Sequence, residues 1–390
     1  MVYKVIHNIP VWGEPIPQAL EQIENCAKKA DYTALMADHH PGYAVPIGGV
    51  VAYRDKISPS GVGYDIACGN KAVRLDIPVA QVKDNIKKIM DDISRTLSFG
   101  VGRNNKEKVD HPLFDDDQAW NIPEAKKLKT LAQSQLGTIG SGNHYVDIFV
   151  DEQTRVWVGV HFGSRGFGHH LATHFIKAGG GKDGLFVDPV LLDVKSNLGQ
   201  EYLACMKLAG RYAYAGRDWV CTRVAKLLRS NILEEVHNHH NFAWLEEHNG
   251  EKLWVVRKGA TPAFKGQQGF VGGSMGDISV IIEGVDSPES QKSLYSTVHG
   301  AGRVMSRTAA AGRRHGRRRT GGQVTRNMMM NWIKEQGVEL RGAGTDESPH
   351  CYKRLPEVLA YHKDTIRVLH VLKPLGVAMA GENEFDPYKD

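Results

Sequence analysis

The chemistry-bearing residues of this chain fall in short glycine-framed clusters scattered from Gly61 to Arg307, and any fold it adopts must gather them. The clusters are Gly61–Asn70, which holds Asp65 and Cys68, then Gly140–His144, Val160–Gly166, His237–Asn241, Gly272–Gly276 and Val298–Arg307. Nothing local joins them, so long-range packing has to. Glycine supplies 42 of 390 residues, well above a usual share of about 7%. It sits beside His, Ser and Asn rather than in low-complexity runs, as expected where backbone approaches a ligand closely.

The remaining composition narrows the class. Apolar residues make up 41% and charged residues 24%, the profile of an ordinary globular protein. Cys26, Cys68, Cys205, Cys221 and Cys351 are odd in number and form no CxxC pair. A disulfide framework is therefore not expected, and a reducing cytoplasm is. The start, Met1–His7, lacks the apolar core of a signal peptide, and no stretch approaches the ~18 apolar residues of a membrane span. Neither a GxGxxG between strand and helix nor a GxxxxGK[ST] occurs. Net charge is only +5, so an interaction with nucleic acid would depend on local patches.

Apolar spacing predicts helices over 16–29, 79–98, 198–235, 326–337 and 355–370. Strands and tight turns are expected over 43–76 and 252–284, paired strands over 144–150 and 155–161, and a charged surface loop over 103–118. The 198–235 helix should bury Tyr202, Met206, Ala209, Val220, Val224, Leu227 and Leu228. This interleaved order predicts an α+β fold forming one compact catalytic domain over 1–390.

Asp65 and Cys68, three apart in a glycine-bounded turn, can point at one centre. Carboxylate with thiolate suits manganese, iron, cobalt or zinc better than magnesium or calcium, and a thiolate can bridge two cations. His144, His161 and His240 each lie beside Gly, Ser or Asn, and neutral imidazole is the commonest metal ligand. Taken singly, each of these residues is as readily explained as a satisfied core or turn residue. His299 stands among small residues that leave room for a bulky group. Arg303 and Arg307 can neutralise phosphate, and the N–H groups of Gly272–Gly276 can hold a phosphate or a base edge.

In this order, the segments resemble the RtcB family of RNA ligases. The resemblance runs from Ile9-Pro10-Val11-Trp12 through Asp38-His39-His40-Pro41-Gly42, the Asp65/Cys68 turn, Gly142-Asn143-His144, His161-Phe162-Gly163-Ser164-Arg165-Gly166 and His239-His240-Asn241. It continues through Arg257-Lys258-Gly259-Ala260, Gly273-Ser274-Met275-Gly276 and His299-Gly300-Ala301-Gly302-Arg303 to Leu372-Lys373-Pro374-Leu375-Gly376. It implies an RtcB-like catalytic domain with mixed sheets around a dinuclear manganese cleft. It also implies a GTP-dependent joining of RNA 3′-phosphate or 2′,3′-cyclic phosphate ends to 5′-hydroxyl ends, in tRNA splicing or RNA repair, with an archease-like activator as a possible partner. By the same resemblance Asp65, Cys68, His144, His161 and His240 would hold two Mn2+, with Cys68 bridging, and His299 would attack the nucleotide α-phosphate. Asn143, Asn241, Ser274, Ser279, Ala301 and Gly302 would meet the nucleotide, together with Asp147, Gly272, Gly273, Met275, Gly300 and Tyr352. Arg165 would lie near the metals and the substrate phosphate.

The departures cluster on the base side. Where the family commonly ends in Val-Lys-Gly, this chain reads Met379-Ala380-Gly381. Asp147 stands for a longer Glu, Gly272 for a Pro, and Tyr352-Lys353-Arg354 for Tyr-Lys-Asp. Metal and phosphate chemistry is thus expected to be kept, with base selection altered or relaxed. That leaves an RNA end-processing phosphodiesterase, phosphatase or nucleotidyl transferase as the alternative, and a non-catalytic RNA-binding protein as a third reading. The run Arg313-Arg314-His315-Gly316-Arg317-Arg318-Arg319 fits either an RNA contact or a solvated mobile loop.

Overall fold

The computed structural model describes residues 3–105, 108–116, 118–182, 184–315, 318–382 and 384. Two large sheets carry the architecture, and the α+β expectation holds. The six-stranded sheet runs, in spatial order, Tyr3–Ile6, Ile9–Trp12, Tyr32–His40, Ile47–Tyr53, Glu251–Lys258 and Asn241–His248. The second sheet has the order Ile232–His239, Gly69–Leu75, Val156–Phe162, Tyr145–Val150, Ile366–Gly381, Ser279–Gly284 and Gln268–Val271. Glu339–Ala343 adds to it, parallel to Ile366–Gly381.

His240 is the single residue between Ile232–His239 and Asn241–His248. The chain therefore passes from one sheet to the other at a predicted metal ligand. A 31-residue helix, Asn197–Leu227, packs on Gly69–Leu75 and Val156–Phe162. Its Val220, Cys221 and Val224 join Val73, Val158, Val160 and Phe162 in one buried cluster. Tyr202, Met206 and Ala209 are buried as expected, but Leu227 is exposed.

That helix stops well short of residue 235. Arg229 adopts φ 51°, and the N–H of Ser230 donates to the carbonyl of Ala225 at 3.0 Å. This is a left-handed helix stop made without the usual glycine. Residues 232–239 instead pair with Gly69–Leu75, Val236 opposite Ala72. The 355–370 prediction fails similarly. Only Leu355–Ala360 is helical, and Ile366–Gly381 is a strand that pairs with Ser279–Gly284 over its first half and with Tyr145–Val150 and Glu339–Ala343 over its second. The 79–98 segment is two helices, Val79–Asp84 and Ile86–Thr96, broken at Asn85. The 103–118 stretch is not wholly a surface loop. It contains the turn Leu113–Asp116, whose Phe114 is buried beside Trp120 and Tyr212.

The other expectations hold closely. Pro17–Ala27 and Arg326–Glu335 are helices, and Tyr145–Val150 pairs antiparallel with Val156–Phe162. Arg313–His315 and Arg318–Thr320 form an antiparallel two-stranded ribbon in place of an irregular loop, while Gly316 and Arg317 lie outside the described residues.

Candidate active site

The five predicted ligands meet where the two sheets join. Asp65 and Cys68 close a turn between the short helix Pro59–Val62 and the strand Gly69–Leu75, with the Cys68 N–H donating to the Asp65 carbonyl at 3.1 Å. His144 immediately precedes Tyr145–Val150, and His161 lies in Val156–Phe162, opposite both Asn70 and Tyr145. The His240 N–H donates to the Cys68 carbonyl at 2.8 Å, which docks the sheet crossing onto the cysteine turn.

Their donor atoms form two groups that share one sulfur. Cys68, His161 and His240 converge in one, and Asp65, Cys68 and His144 in the other, with all donor atoms of a group within 4.8 Å of one another. Cys68 Sγ lies 3.2 Å from His161 Nε2 and 3.6 Å from His144 Nε2. His144 Nε2 is 3.1 Å from Asp65 Oδ2, and His161 Nε2 is 3.3 Å from His240 Nε2. The Asn143 carbonyl, 2.9 Å from His161 Nδ1, can only accept, so Nδ1 carries the proton and Nε2 turns its lone pair inward. Lone pairs of imidazole nitrogens facing each other and a sulfur repel unless a cation lies among them. The residues thus fit two cations that share a thiolate.

The electrostatics agree with that fit. Burial, and then neighbouring His144, lower the His161 pKa to about 3. Burial, followed by His299 and His161, holds His240 well below the usual range, so both rings are neutral ligands. Burial and the adjacent Asp65 push the Cys68 thiol far up. A bound cation must therefore displace its proton. Burial would raise Asp65, but the hydrogen bond and charge of His144, with Arg165, outweigh it and keep the carboxylate ionised.

His299 follows the strand Ser296–Val298, and its ring centroid lies 4.8 Å from that of His240. Asp38, fully buried in Tyr32–His40, grips it. One carboxylate oxygen accepts from the backbone N–H of His299 at 2.9 Å and lies 2.6 Å from its Nδ1. Burial opposes ionisation of Asp38, but His299 outweighs it. A carboxylate can only accept, so Nδ1 holds the proton and Nε2 keeps a free lone pair. Gly302 makes this docking possible. Its φ is +78°, and a Cβ there would stand 2.2 Å from the Asp38 carbonyl oxygen.

A cavity of about 590 Å3 covers the ligands and His299. Asn143, Asp147, Asn241, Gly272, Gly273, Ser274, Met275, Gly300, Ala301, Gly302 and Tyr352 line it, as do Arg303 and Arg307. Ser279 stands behind the wall, where its hydroxyl accepts from the Gly273 N–H at 3.0 Å. Arg165 is absent from the lining but close behind it, opposite Gly140, and its charge acts on Asp65. Arg303 and Arg307 share buried Glu347 at 3.4 and 2.8 Å, and Arg303 also donates to Tyr352 Oη and the Asp346 carbonyl. They form a braced cationic edge rather than two loose phosphate hooks.

The base side explains one departure. A Cβ on Gly272 would lie 2.2 Å from the hydroxyl of Tyr145, so the tyrosine occupies space that a proline there would need. Tyr145 Oη, Asp147 Oδ1 and Ser274 Oγ are buried with no hydrogen-bond partner. Burial pushes the Asp147 carboxyl well above the usual range. Arg354, where an aspartate was expected, lies over the Trp332 ring at 3.9 Å.

The sequence assigned no role to Asp38, Tyr145 or Glu347. Asp38 stood in a quoted motif, but nothing local ties it to a histidine 261 positions away.

Fold and site together bring two groups of possible metal ligands, which share Cys68, beside a histidine whose Nδ1 is held by a buried carboxylate. The family model described as tRNA-splicing ligase RtcB matches residues 19–380. RNA-splicing ligase RtcB of Escherichia coli K12 is 31% identical, covering 94% of this chain and 96% of its own length. The tRNA-splicing ligases RtcB of Thermococcus kodakarensis and Archaeoglobus fulgidus are 30% and 31% identical over 93% and 92% of this chain and 91% and 90% of their own. The chain belongs to the RtcB family.

Proposed function

We propose that this protein is an RNA ligase that joins a 3′-phosphate or 2′,3′-cyclic phosphate end to a 5′-hydroxyl end, using GTP and two manganese ions. The observation that carries the reading is the Asp38–His299 pair beside two cation-ligand groups sharing Cys68. Asp65, Cys68, His144, His161 and His240 would hold the ions, which supply charge neutralisation and alignment of phosphate oxygens. His299 Nε2 attacks the α-phosphate of GTP, forming an N–P bond as pyrophosphate leaves. Asp38 keeps the Nδ1 proton in place and stabilises the positive ring as it develops. The guanylyl group then passes to the RNA 3′-phosphate, regenerating neutral His299. This makes a good leaving group, and the 5′-hydroxyl displaces GMP. A cyclic phosphate end first takes up water to open to the 3′-phosphate. Arg303 and Arg307, fixed by Glu347, face the phosphates as a rigid cationic edge.

The reading places the work in tRNA splicing or RNA repair in the cytoplasm, with an archease-like activator as a candidate partner. The whole chain would act as one catalytic domain. The changed base side, Tyr145 against Gly272 with Met379 on the cavity wall, favours a second reading. In it the same chemistry ends in RNA end processing or nucleotidyl transfer with altered base choice. One assay decides. RNA bearing a cyclic phosphate and a 5′-hydroxyl is incubated with manganese and each labelled triphosphate in turn. Joined product with a GTP-dependent adduct at His299 supports ligation. Trimmed ends without joining support the alternative, and no adduct with any nucleotide sinks the nucleophile.

A further inference from the structure

Behind the ligand cluster, on the long helix Asn197–Leu227, sits a fully buried arginine that none of the chemistry above uses. Arg217 spends its guanidinium on four acceptors. Nη1 donates to the Ala67 carbonyl at 3.0 Å and to the Phe162 carbonyl at 2.5 Å. Nη2 lies 3.0 Å from His239 Nδ1, and Nε donates to His237 Nε2 at 2.7 Å. Arginine has no acceptor, so each imidazole must present a lone pair to it. For His237 this leaves the proton on Nδ1, 3.4 Å from Asp218 Oδ1. Among the described residues, Arg217 makes no ion pair of its own.

The pattern of these contacts is specific. Ala67 precedes Cys68, Phe162 follows His161, and His239 precedes His240. One planar group thus holds the immediate neighbour of every member of the Cys68–His161–His240 group. It touches no neighbour of His144, the histidine of the other group. Ala67 has φ 60°, a left-handed conformation that a residue with a Cβ rarely holds without support, and its carbonyl is one that Arg217 binds. A lysine here keeps a charge but has no planar fork to span these acceptors.

We infer that Arg217 is a positioning residue that assembles one of the two cation sites, the Cys68–His161–His240 site, by fixing the three backbone segments that carry its ligands. The inference rests on the two-ion reading above. It makes the sites unequal. The Asp65–Cys68–His144 site shares with this network only the Ala67–Cys68 segment and keeps Asp65 and His144 in place when Arg217 is altered, whereas the other site loses the support of all three ligands.

The test uses the full chain stripped of metal, with Mn2+ alone as the probe. Arg217→Lys and Arg217→Met are compared with wild type by ions bound per chain, by electron paramagnetic resonance and by the melting midpoint of the metal-free form. Wild type is expected to bind two ions that show magnetic coupling. The variants should bind one ion normally and the second more weakly, on the order of 10–100-fold, with the coupled signal replaced by that of an isolated ion. Two ions at wild-type affinity in a folded Arg217→Lys overturn the assignment. So does loss of both ions together with the fold, which would make Arg217 a general core support. If Arg217→Met does not fold, Arg217→Lys alone decides. Wild type binding fewer than two ions sinks the two-ion reading itself, whereas two ions in wild type and unaltered variants sink only the role of Arg217.

Discussion

On the metal side of the cleft the chain holds several of the groups that face the centre, although His144 Nδ1, His240 Nδ1 and Asp38 Oδ1 are buried without a partner. The Asn143 carbonyl holds His161, Asp38 holds His299, and the Cys68 carbonyl anchors the backbone of His240. On the wall that the proposed function gives to the base, Tyr145 Oη, Asp147 Oδ1 and Ser274 Oγ are buried with nothing to bond. A buried polar atom left unpaired costs about 1–3 kcal/mol, and three of them on one wall are costly unless a ligand completes them. His161, His299 and the backbone of His240 are oriented by contacts within the chain, whereas no hydrogen bond among the described residues reaches these three atoms. Mutations should accordingly cost geometry and rate on the first side, and affinity and selectivity on the second.

The sharpest break in that contrast is Asp38→Asn. The one oxygen that meets both the His299 N–H and Nδ1 can be an amide oxygen and keep the tautomer, but the negative charge that stabilises the ring as it becomes positive is lost. Adduct formation should fall on the order of 10³–10⁴-fold, by analogy with other carboxylate-held histidines, while Mn2+ stoichiometry stays at the wild-type value. An unchanged adduct rate would falsify the role given to the Asp38 charge.

Metal affinity should depend on pH through Cys68. Its thiol is raised far above the usual range without metal, so the first ion to bind it expels its one proton. Affinity should rise about tenfold per pH unit for one proton released, and it should weaken as pH falls. Calorimetry in buffers of different ionisation enthalpy counts that proton. A pH-independent affinity means that the thiol is not a ligand.

A smaller effect probes the other wall. Gly272→Ala drives a methyl into the Tyr145 hydroxyl, and relieving such overpacking costs about 1–3 kcal/mol. Nucleotide affinity should drop by roughly tenfold or more, and Tyr145→Phe should restore most of it in the double variant. Additive losses would show that the two residues do not share that space. The smallest change belongs to Asp147→Asn. Burial disfavours ionisation of the acid, so a neutral amide of similar shape should hold nucleotide within about twofold at pH 7. A raised carboxyl pKa contributes stability at low pH that is lost as pH rises through the folded value. The wild type should therefore lose stability relative to the variant as pH climbs, and thermal melts across pH read the difference.

Helix and strand were legible where local pattern and tertiary demand agreed. Tyr145–Val150 against Val156–Phe162 is one case. They failed at 228–235, because Arg229 ends the helix with a left-handed backbone that sequence usually signals with glycine. They failed again at 366–370, where pairing with Ser279–Gly284 decides the conformation of an apolar segment.

For the site, residue chemistry in glycine-framed motifs named Asp65, Cys68, His144, His161, His240 and His299, and the structure brings these six together. Motif residues announce themselves because their side-chain chemistry and the backbone freedom around them are both written locally. Their supports do not. Asp38 reaches His299 across 261 positions, Arg217 reaches Ala67 across 150, and Glu347 joins Arg303 and Arg307 from 44 and 40 residues away. Each of these is an ordinary charged residue in sequence. Only packing that buries it beside particular acceptors or cations gives it a role, because the energy of a buried charge depends on what surrounds it.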